Sequence, residues 1–234
     1  MAERARKVLV GVLAAGRSSR MGFPKLLEPY DGGEGSTCLL VRACGEALAS
    51  EADGVAVVLG AYGHEAIVAL EDAGLAGERR LTVLVNNAWN QGQATSVAAL
   101  ARHARQSGVD GLVVMAADQP YVRVRHIDAL IRAFRSGLAD GGDGGIPRAL
   151  RSQQGTRQGN PCLFPREAFS LLEGLSGDEG ARQLFRNGTV AAVPVDVCKD
   201  EPNGAPNIFL DLDTPEEFEA FVEGRDARNI SLQS

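Results

Sequence analysis

The sequence predicts a single α/β domain whose mostly parallel sheet is covered by helices on both faces. Three observations point there. Residues 8–13 (V-L-V-G-V-L) form an unbroken apolar, β-branched run, which is how a strand buried on both sides reads. Short runs of the same kind recur at 55–59, 81–85 and 112–116, each followed by a stretch of helical periodicity, and that alternation belongs to parallel sheets. The 234 residues are one domain's worth and enough for a substantial core.

The elements follow in order. After strand 8–13 and the polar excursion D-G-G-E-G-S at 31–36, a helix is expected over 37–49, apolar at Leu39, Leu40, Ala43, Ala47 and Leu48. Further helices are expected at 64–73, 95–105 and 126–134, each after its strand. Right-handed crossovers would bring the loops at Ala14, Asn86 and Ala117 together on one sheet edge, where open α/β sheets bind ligands. Gly60 and Gly63 read as a plain strand-to-helix turn. The run G-L-A-D-G-G-D-G-G at 137–145 is a linker. Residues 147–159, which carry Arg148, Arg151 and Arg157 beside that linker, read either as a solvated loop or as a mobile lid whose arginines meet an anion, the lid being preferred. Short strands are expected at 161–164, 189–195 and 208–212, and short helices at 167–172 and 179–185. Thr214, Pro215 and Glu217 make a capping box for a last helix, and 226–234 should fray.

Composition excludes several classes. A net charge of −6 and a pI near 5.2 carry no chain-wide basic signal for nucleic acid. No apolar run approaches a membrane span, and the short, charged N-terminus lacks a secretory segment. The four cysteines form no C-x-x-C pair and the three histidines are scattered. That argues for reduced thiols in a cytoplasmic protein and against zinc.

The chemistry concentrates after the first strand. Residues 14–25 read A-A-G-R-S-S-R-M-G-F-P-K, small residues followed by Arg17, Arg20 and Lys25, a cradle suited to a polyphosphate. The spacing is neither that of a dinucleotide fingerprint nor that of a Walker loop. Asp118, in A-D-Q-P at the end of the fourth strand, faces that cradle and suits Mg²⁺, which takes one or two carboxylates plus phosphate oxygens. Alternation along a strand would put Asp211 and Asp213 on one face. Asp211 is the preferred second ligand, and Asp213 is closer to the Thr214 cap.

The stretch L-A-A-G-R-S-S-R-M-G-F-P-K resembles the L-A-A-G-x-S-x-R-M-G-x-x-K loop of nucleotidyltransferases, in particular the molybdenum cofactor cytidylyltransferases. Three further matches extend the resemblance: N-N-A-W-N-Q-G-Q-A-T-S at 86–96, G-N-P-C-L-F at 159–164 with G-D-E-G-A-R at 177–182, and D-L-D-T-P-E at 211–216. Gln93 departs from the pattern, where methionine is usual. Trp89 reads as packing rather than base stacking.

The resemblance implies a Rossmann-like three-layer α/β/α sandwich of the nucleotide-diphospho-sugar transferase type, with a nucleotide half (1–136) and an acceptor half (146–225). It implies transfer of CMP from CTP to the phosphate of Mo-molybdopterin, with Mg²⁺ as cofactor and release of pyrophosphate. Leu13, Ala14, Ala15, Gly16, Asn86, Gly92 and Ser96 would then bind nucleotide, while Lys25 and Arg20 neutralise its phosphates. Asp118 and Asp211 would hold the metal. Arg157, Gly159, Asn160 and Arg182 would meet the acceptor, and a molybdoenzyme or its maturation chaperone would be a transient partner. Guanylyl transfer to molybdopterin, cytidylyl transfer to a sugar or polyol phosphate, and a non-catalytic nucleotide-binding regulator are the alternatives. Within the resemblance, A-A-G at 14–16 goes with cytidine.

Overall fold

The computed structural model of the protein describes residues 5–33, 35–141, 143–202 and 204–224, so the expected tail at 226–234 lies outside the described residues. In chain order the elements are β1 (Val8–Ala14), β2 (Tyr30–Asp31), β3 (Ser36–Thr37), α1 (Leu39–Ala49), β4 (Gly54–Leu59), α2 (Gly63–Asp72), β5 (Leu81–Val85), α3 (Gln93–Gln106), β6 (Gly111–Ala116), α4 (Val124–Arg135), β7 (Arg148–Gln154), β8 (Arg157–Pro165), α5 (Phe169–Glu173), α6 (Arg182–Arg186), β9 (Ala191–Asp196) and α7 (Pro215–Val222). Seven strands form one sheet in the order β5-β4-β1-β6-β8-β7-β9. Only β8 opposes its neighbours; the other six point the same way.

The period-2 alternation of the central strands sorts their side chains into two cores. Val8, Val10 and Val12 of β1 face one side with Val55, Val57, Val113 and Met115, and α1, α2 and α4 cover them. Leu9 and Leu13 face the other side with Ala56, Val58, Leu112 and Val114, under α3, α5 and Leu184 of α6. The result is the three-layer sandwich that the apolar runs predicted. Helix α3 turns Val97, Leu100, Ala101 and Ala104 inward, the i, i+3, i+4, i+7 stripe of a helix on a sheet. A Cβ on Gly11 would meet Leu100 Cδ1 at 2.7 Å, so that glycine lets the helix settle onto the central strand. The capping box at Thr214 forms as read: Thr214 Oγ1 accepts from the Glu217 amide at 3.3 Å and the Glu217 carboxylate accepts from the Thr214 amide at 3.0 Å. Among the described residues, no helix is long and apolar enough to cross a membrane.

Two expectations are corrected. Residues 147–159 are not a lid but most of the antiparallel hairpin β7–β8. Ala149, Leu150 and Ser152 are fully buried in it, and the Ser152 hydroxyl donates to the Pro161 carbonyl at 2.6 Å. Arg148 and Arg151 are among its half-exposed positions. Residues 208–212 form no strand. The Asn207 side chain accepts from the Phe209 amide at 3.1 Å and the Asn207 carbonyl from the Leu210 amide at 3.2 Å, and this local turn replaces sheet pairing.

Candidate active site

The loops after β1, β4, β5 and β6 meet at the carboxyl edge of the parallel strands. The Ala61 amide donates to Ala15, the Asn86 amide to Leu59 and the Ala117 amide to Leu13, at 3.2, 2.8 and 3.1 Å. Gly60 is more than a turn residue here. A Cβ on it would stand 2.5 Å from the Ala15 carbonyl oxygen and 2.7 Å from Trp89 Cβ, so three loops close up only because that side chain is missing.

The loop at 15–25 is held down rather than loose. Ser18 adopts a left-handed φ of 55° and its carbonyl accepts from the Met21 amide at 2.9 Å, which closes a turn. Met21 is then buried in a third core with Tyr30, Leu39, Leu212 and Phe218. Phe23 stacks edge-on against Phe218 of α7 at 5.7 Å, and Tyr30 against Phe221 at 5.0 Å. Such aromatic pairs add roughly 0.5–1.5 kcal/mol each beyond their burial. Helix α7 thus clamps the basic loop from beneath while Arg17 and Arg20 remain exposed.

Lys25 behaves differently from those arginines. It is only 7% exposed, and its Nζ donates to Asp118 Oδ2 at 2.8 Å, to the Leu212 carbonyl at 2.5 Å and to Asp213 Oδ1 at 3.3 Å. Leu212 is pinned twice, because its amide donates to the Asp118 carbonyl at 3.2 Å. Asp213 Oδ2 accepts from exposed Arg20 at 2.9 Å, and the Glu217 carboxylate holds the Asp213 amide at 2.8 Å. An all-oxygen cage drawn from Asp118, Leu212 and Asp213 therefore surrounds a cation. Its donor set suits a hard divalent ion.

Asp211 stands beside this cage and not in it. Burial first, then the nearby Asp118 charge, pushes its carboxyl up to about 6, against a pull from the Gln119 hydrogen bond. An acid with a raised folded pKa contributes stability below its unfolded value, near 3.8, and loses it as pH rises through about 6. Asp211→Asn should therefore be more stable than the wild type at pH 7.5, by on the order of 1–3 kcal/mol, with the advantage fading as pH falls to 4. Denaturant melts at both pH values would measure it, and an equal difference at each would exclude a buried charge at this position.

Asn86 lies beneath the surface of the site. Its amide donates to Thr95 Oγ1 at 2.8 Å and Ser96 Oγ at 3.0 Å, and its oxygen accepts from the Ala88 amide at 2.9 Å, so it braces the start of α3. Gly92 has a φ of 110° and a Cβ there would overlap the Gly177 carbonyl and Asp178 Oδ1. The Ala94 amide donates to that same Gly177 carbonyl at 3.0 Å. The G-D-E-G-A-R segment thereby docks on the helix start, a contact that spacing alone does not reveal.

Two cavities share these walls. One, of about 410 Å³, is lined by Leu13, Ala14, Ala15, Gly16, Lys25 and Ser96 among others, with Trp89 at its side. The other, of about 920 Å³, is lined by Asn160, Arg182, Arg186 and Asp211. Asp118, Asp213, Gln93 and Asp178 belong to both.

The acceptor candidates divide. Asn160 and Arg182 face the larger cavity. Gly159 instead packs on Phe209, where a Cβ would come within 2.6 Å of the ring. Arg157 is exposed at the tip of the β7–β8 hairpin and lines neither cavity. Of its fellow arginines, Arg148 donates to the Asp140 carbonyl at the opposite sheet edge and Arg151 stacks on the Phe185 ring at 5.3 Å.

Away from this edge, His126, Cys198 and Glu201 bring ligand atoms within 4.8 Å of one another, a grouping that the sequence spacing did not reveal. His126 Nδ1 accepts from the Arg123 amide at 3.0 Å, so the proton of the neutral ring sits on Nε2 and points to Glu201 Oε1 at 2.8 Å. Burial, followed by the Glu201 hydrogen bond and charge, pushes the Cys198 thiol up to about 12. The cluster is an anchor for the 198–201 turn rather than a ligand set.

Fold and site together define a nucleotidyltransferase: a parallel sheet, a basic loop after its first strand, and a carboxylate pair between two compartments. The family model for the MobA-like NTP transferase domain matches residues 10–193, and the chain belongs to that family. It is 34% identical over 222 residues to the purine catabolism protein PucB of Bacillus subtilis, across 90% of this chain and 94% of that protein. The crystal structure of Rv0371c from Mycobacterium tuberculosis is 27% identical and superposes with a TM-score of 0.67, covering 93% of this chain and 98% of its own. A second structure of Rv0371c, 25% identical with a TM-score of 0.63 over the same shares, is a complex with manganese. At 16% identity and a TM-score of 0.61, molybdopterin-guanine dinucleotide biosynthesis protein A of Archaeoglobus fulgidus shares the fold, covering 97% of this chain and 100% of its own.

Proposed function

We propose that the protein transfers CMP from CTP to the terminal phosphate of Mo-molybdopterin, giving molybdopterin cytosine dinucleotide and pyrophosphate. The observation that supports this reading is the position of Asp118 and Asp213, held by Lys25 from the smaller side, on the wall between a nucleotide-sized compartment and a larger one. In the reaction an acceptor phosphate oxygen attacks the α-phosphorus, and the bond to the bridging oxygen of the β-phosphate breaks. Both partners are anions, so the site needs charge neutralisation and in-line placement rather than a protein nucleophile.

The backbone of Leu13, Ala14, Ala15 and Gly16 and the Ser96 hydroxyl line the space for the nucleoside. Arg17 and Arg20, exposed at the mouth, meet the departing phosphates, and Lys25 neutralises charge at the α-phosphate. Asp118 and Asp213, with Asp211 alongside, would hold Mg²⁺, which supplies Lewis-acid stabilisation of the phosphate oxygens. Arg182 and Asn160 face the acceptor. The sequence A-A-G at 14–16, the feature shared with the cytidylyl enzymes, supports CTP over GTP.

The test is purified protein with each of the four nucleoside triphosphates, Mg²⁺ and molybdopterin, scored by pyrophosphate release. CTP is expected to exceed GTP by at least about tenfold in kcat/KM, the scale of one well-placed polar recognition contact. Equal or faster turnover with GTP would make this a guanylyl enzyme, and no turnover on molybdopterin, with turnover when a sugar phosphate is supplied instead, would replace the acceptor.

A further inference from the structure

We propose that Lys25 is an exchangeable occupant of the cation cage: without nucleotide its ammonium fills the place of the divalent ion, and nucleotide phosphates draw it out. The inference rests on the reading of the cage as a metal site for a nucleotide-dependent reaction. It goes further by assigning an order to the two ligands.

The geometry is that of a bound ion. An ammonium has three protons, and Lys25 Nζ has three oxygen partners, at 2.8 Å on Asp118, 2.5 Å on Leu212 and 3.3 Å on Asp213. A lysine is rarely buried unless its charge is met in this way. The remaining Asp213 oxygen is taken by Arg20 at 2.9 Å. A divalent ion seeking Asp118 Oδ2 and Asp213 Oδ1 would have to share them with a positive charge already in contact, and like charges at that distance exclude one another.

The lysine can nevertheless leave. Its side chain lines the smaller cavity as well as the cage, its stem is flexible, and triphosphate oxygens in that cavity offer it equivalent partners. Once Lys25 turns to the phosphates, the cage is an open set of oxygens. Nucleotide and metal binding are then positively coupled, and the coupling is reciprocal. The free protein is guarded against scavenging metal ions, and the cage fills only when there is a nucleotide to act on.

Mn²⁺ serves as the probe, followed by its paramagnetic resonance signal in a titration without nucleotide. Lys25→Met, which keeps the bulk and removes the charge, is expected to bind Mn²⁺ about ten- to hundredfold more tightly than the wild type. Adding Asp118→Asn to that variant should abolish the gain. Equal, measurable affinities in wild type and Lys25→Met would overturn the exchange and leave the cage standing as a metal site. No Mn²⁺ binding by a folded Lys25→Met protein would overturn the metal reading and the proposal with it.

A second measurement needs no substitution. The Lys25 side-chain ammonium, observed by nitrogen-15 NMR in the wild type, should stay protected when millimolar Mg²⁺ is added alone. It should shift when a non-hydrolysable CTP analogue is added with Mg²⁺. A signal displaced by Mg²⁺ alone, or unmoved by the analogue, would refute the exchange.

Discussion

Asp118→Asn is expected to lower the turnover number by roughly two or more orders of magnitude, in line with the loss of a major electrostatic contributor. The substitution keeps the shape and removes the charge nearest Lys25, whose Nζ lies 2.8 Å away. It also removes a carboxylate oxygen from the wall that the two cavities share. The fold should survive, because the contact that ties this position to Leu212 uses the Asp118 backbone carbonyl. On the proposed reading the loss should fall on kcat more than on the KM for CTP, since most nucleotide contacts would lie along 13–16 and at Ser96, which line the smaller cavity. Pyrophosphate release at saturating Mg²⁺ measures it, and a near wild-type rate would remove Asp118 from the chemistry.

The second large effect belongs to Gly92→Ala, expected to cost about 2–4 kcal/mol, the range for forced overpacking combined with backbone strain. Two causes add there. A φ of 110° is left-handed territory, and the new methyl would overlap the Gly177 carbonyl and Asp178 Oδ1. Backbone, not a flexible side-chain tip, would have to yield. A fall in Tm of roughly 5–15 °C follows for a chain of this size, and activity should drop because Asp178 and Gln93 lose their place on the shared wall. Gly45→Ala in α1, where a Cβ meets nothing within 4 Å, is the contrasting case. It should stabilise by about 0.5–1 kcal/mol and leave turnover alone. A Gly92→Ala protein as stable as the wild type would show that the 177–182 segment moves aside freely.

The sheet was legible wherever a strand is buried on both faces. The runs at 8–13, 55–59 and 112–116 correspond to β1, β4 and β6 within a residue or two, because two-sided burial leaves a continuous apolar signal, whereas the run at 81–85 marks β5, a half-exposed edge strand, through its β-branched residues alone. The hairpin β7–β8 was legible only at 161–164, the apolar end of β8. Its polar, half-exposed side alternates with buried residues as small as Ala149 and Ser152, so the apolar count stayed low and the arginines dominated the reading. The site was legible in its residues and not in its contacts. Lys25, Asp118 and the aspartates at 211 and 213 all stand at one edge. Strand alternation put Asp211 and Asp213 on one face and nearness to the Thr214 cap set Asp213 aside, yet Asp213 is the one that shares the ammonium. The Leu212 carbonyl leaves no trace in any local pattern, since its partner lies 187 residues away. The small and basic residues of the loop announced a cradle, while the aromatic packing under Phe23 and Met21 comes from α7, far along the chain.

That packing bears on how the polypeptide is made. Translation delivers the basic loop first, and the sheet's six co-directional strands and their one opposing neighbour can assemble once β9 has emerged. Until α7 and the turn before it leave the ribosome, however, Lys25 has neither Leu212 nor Asp213 to hold, and Phe23 has no ring to rest on. A nascent chain can therefore carry a complete sheet and still lack the cage around Lys25, which closes only when synthesis has reached α7.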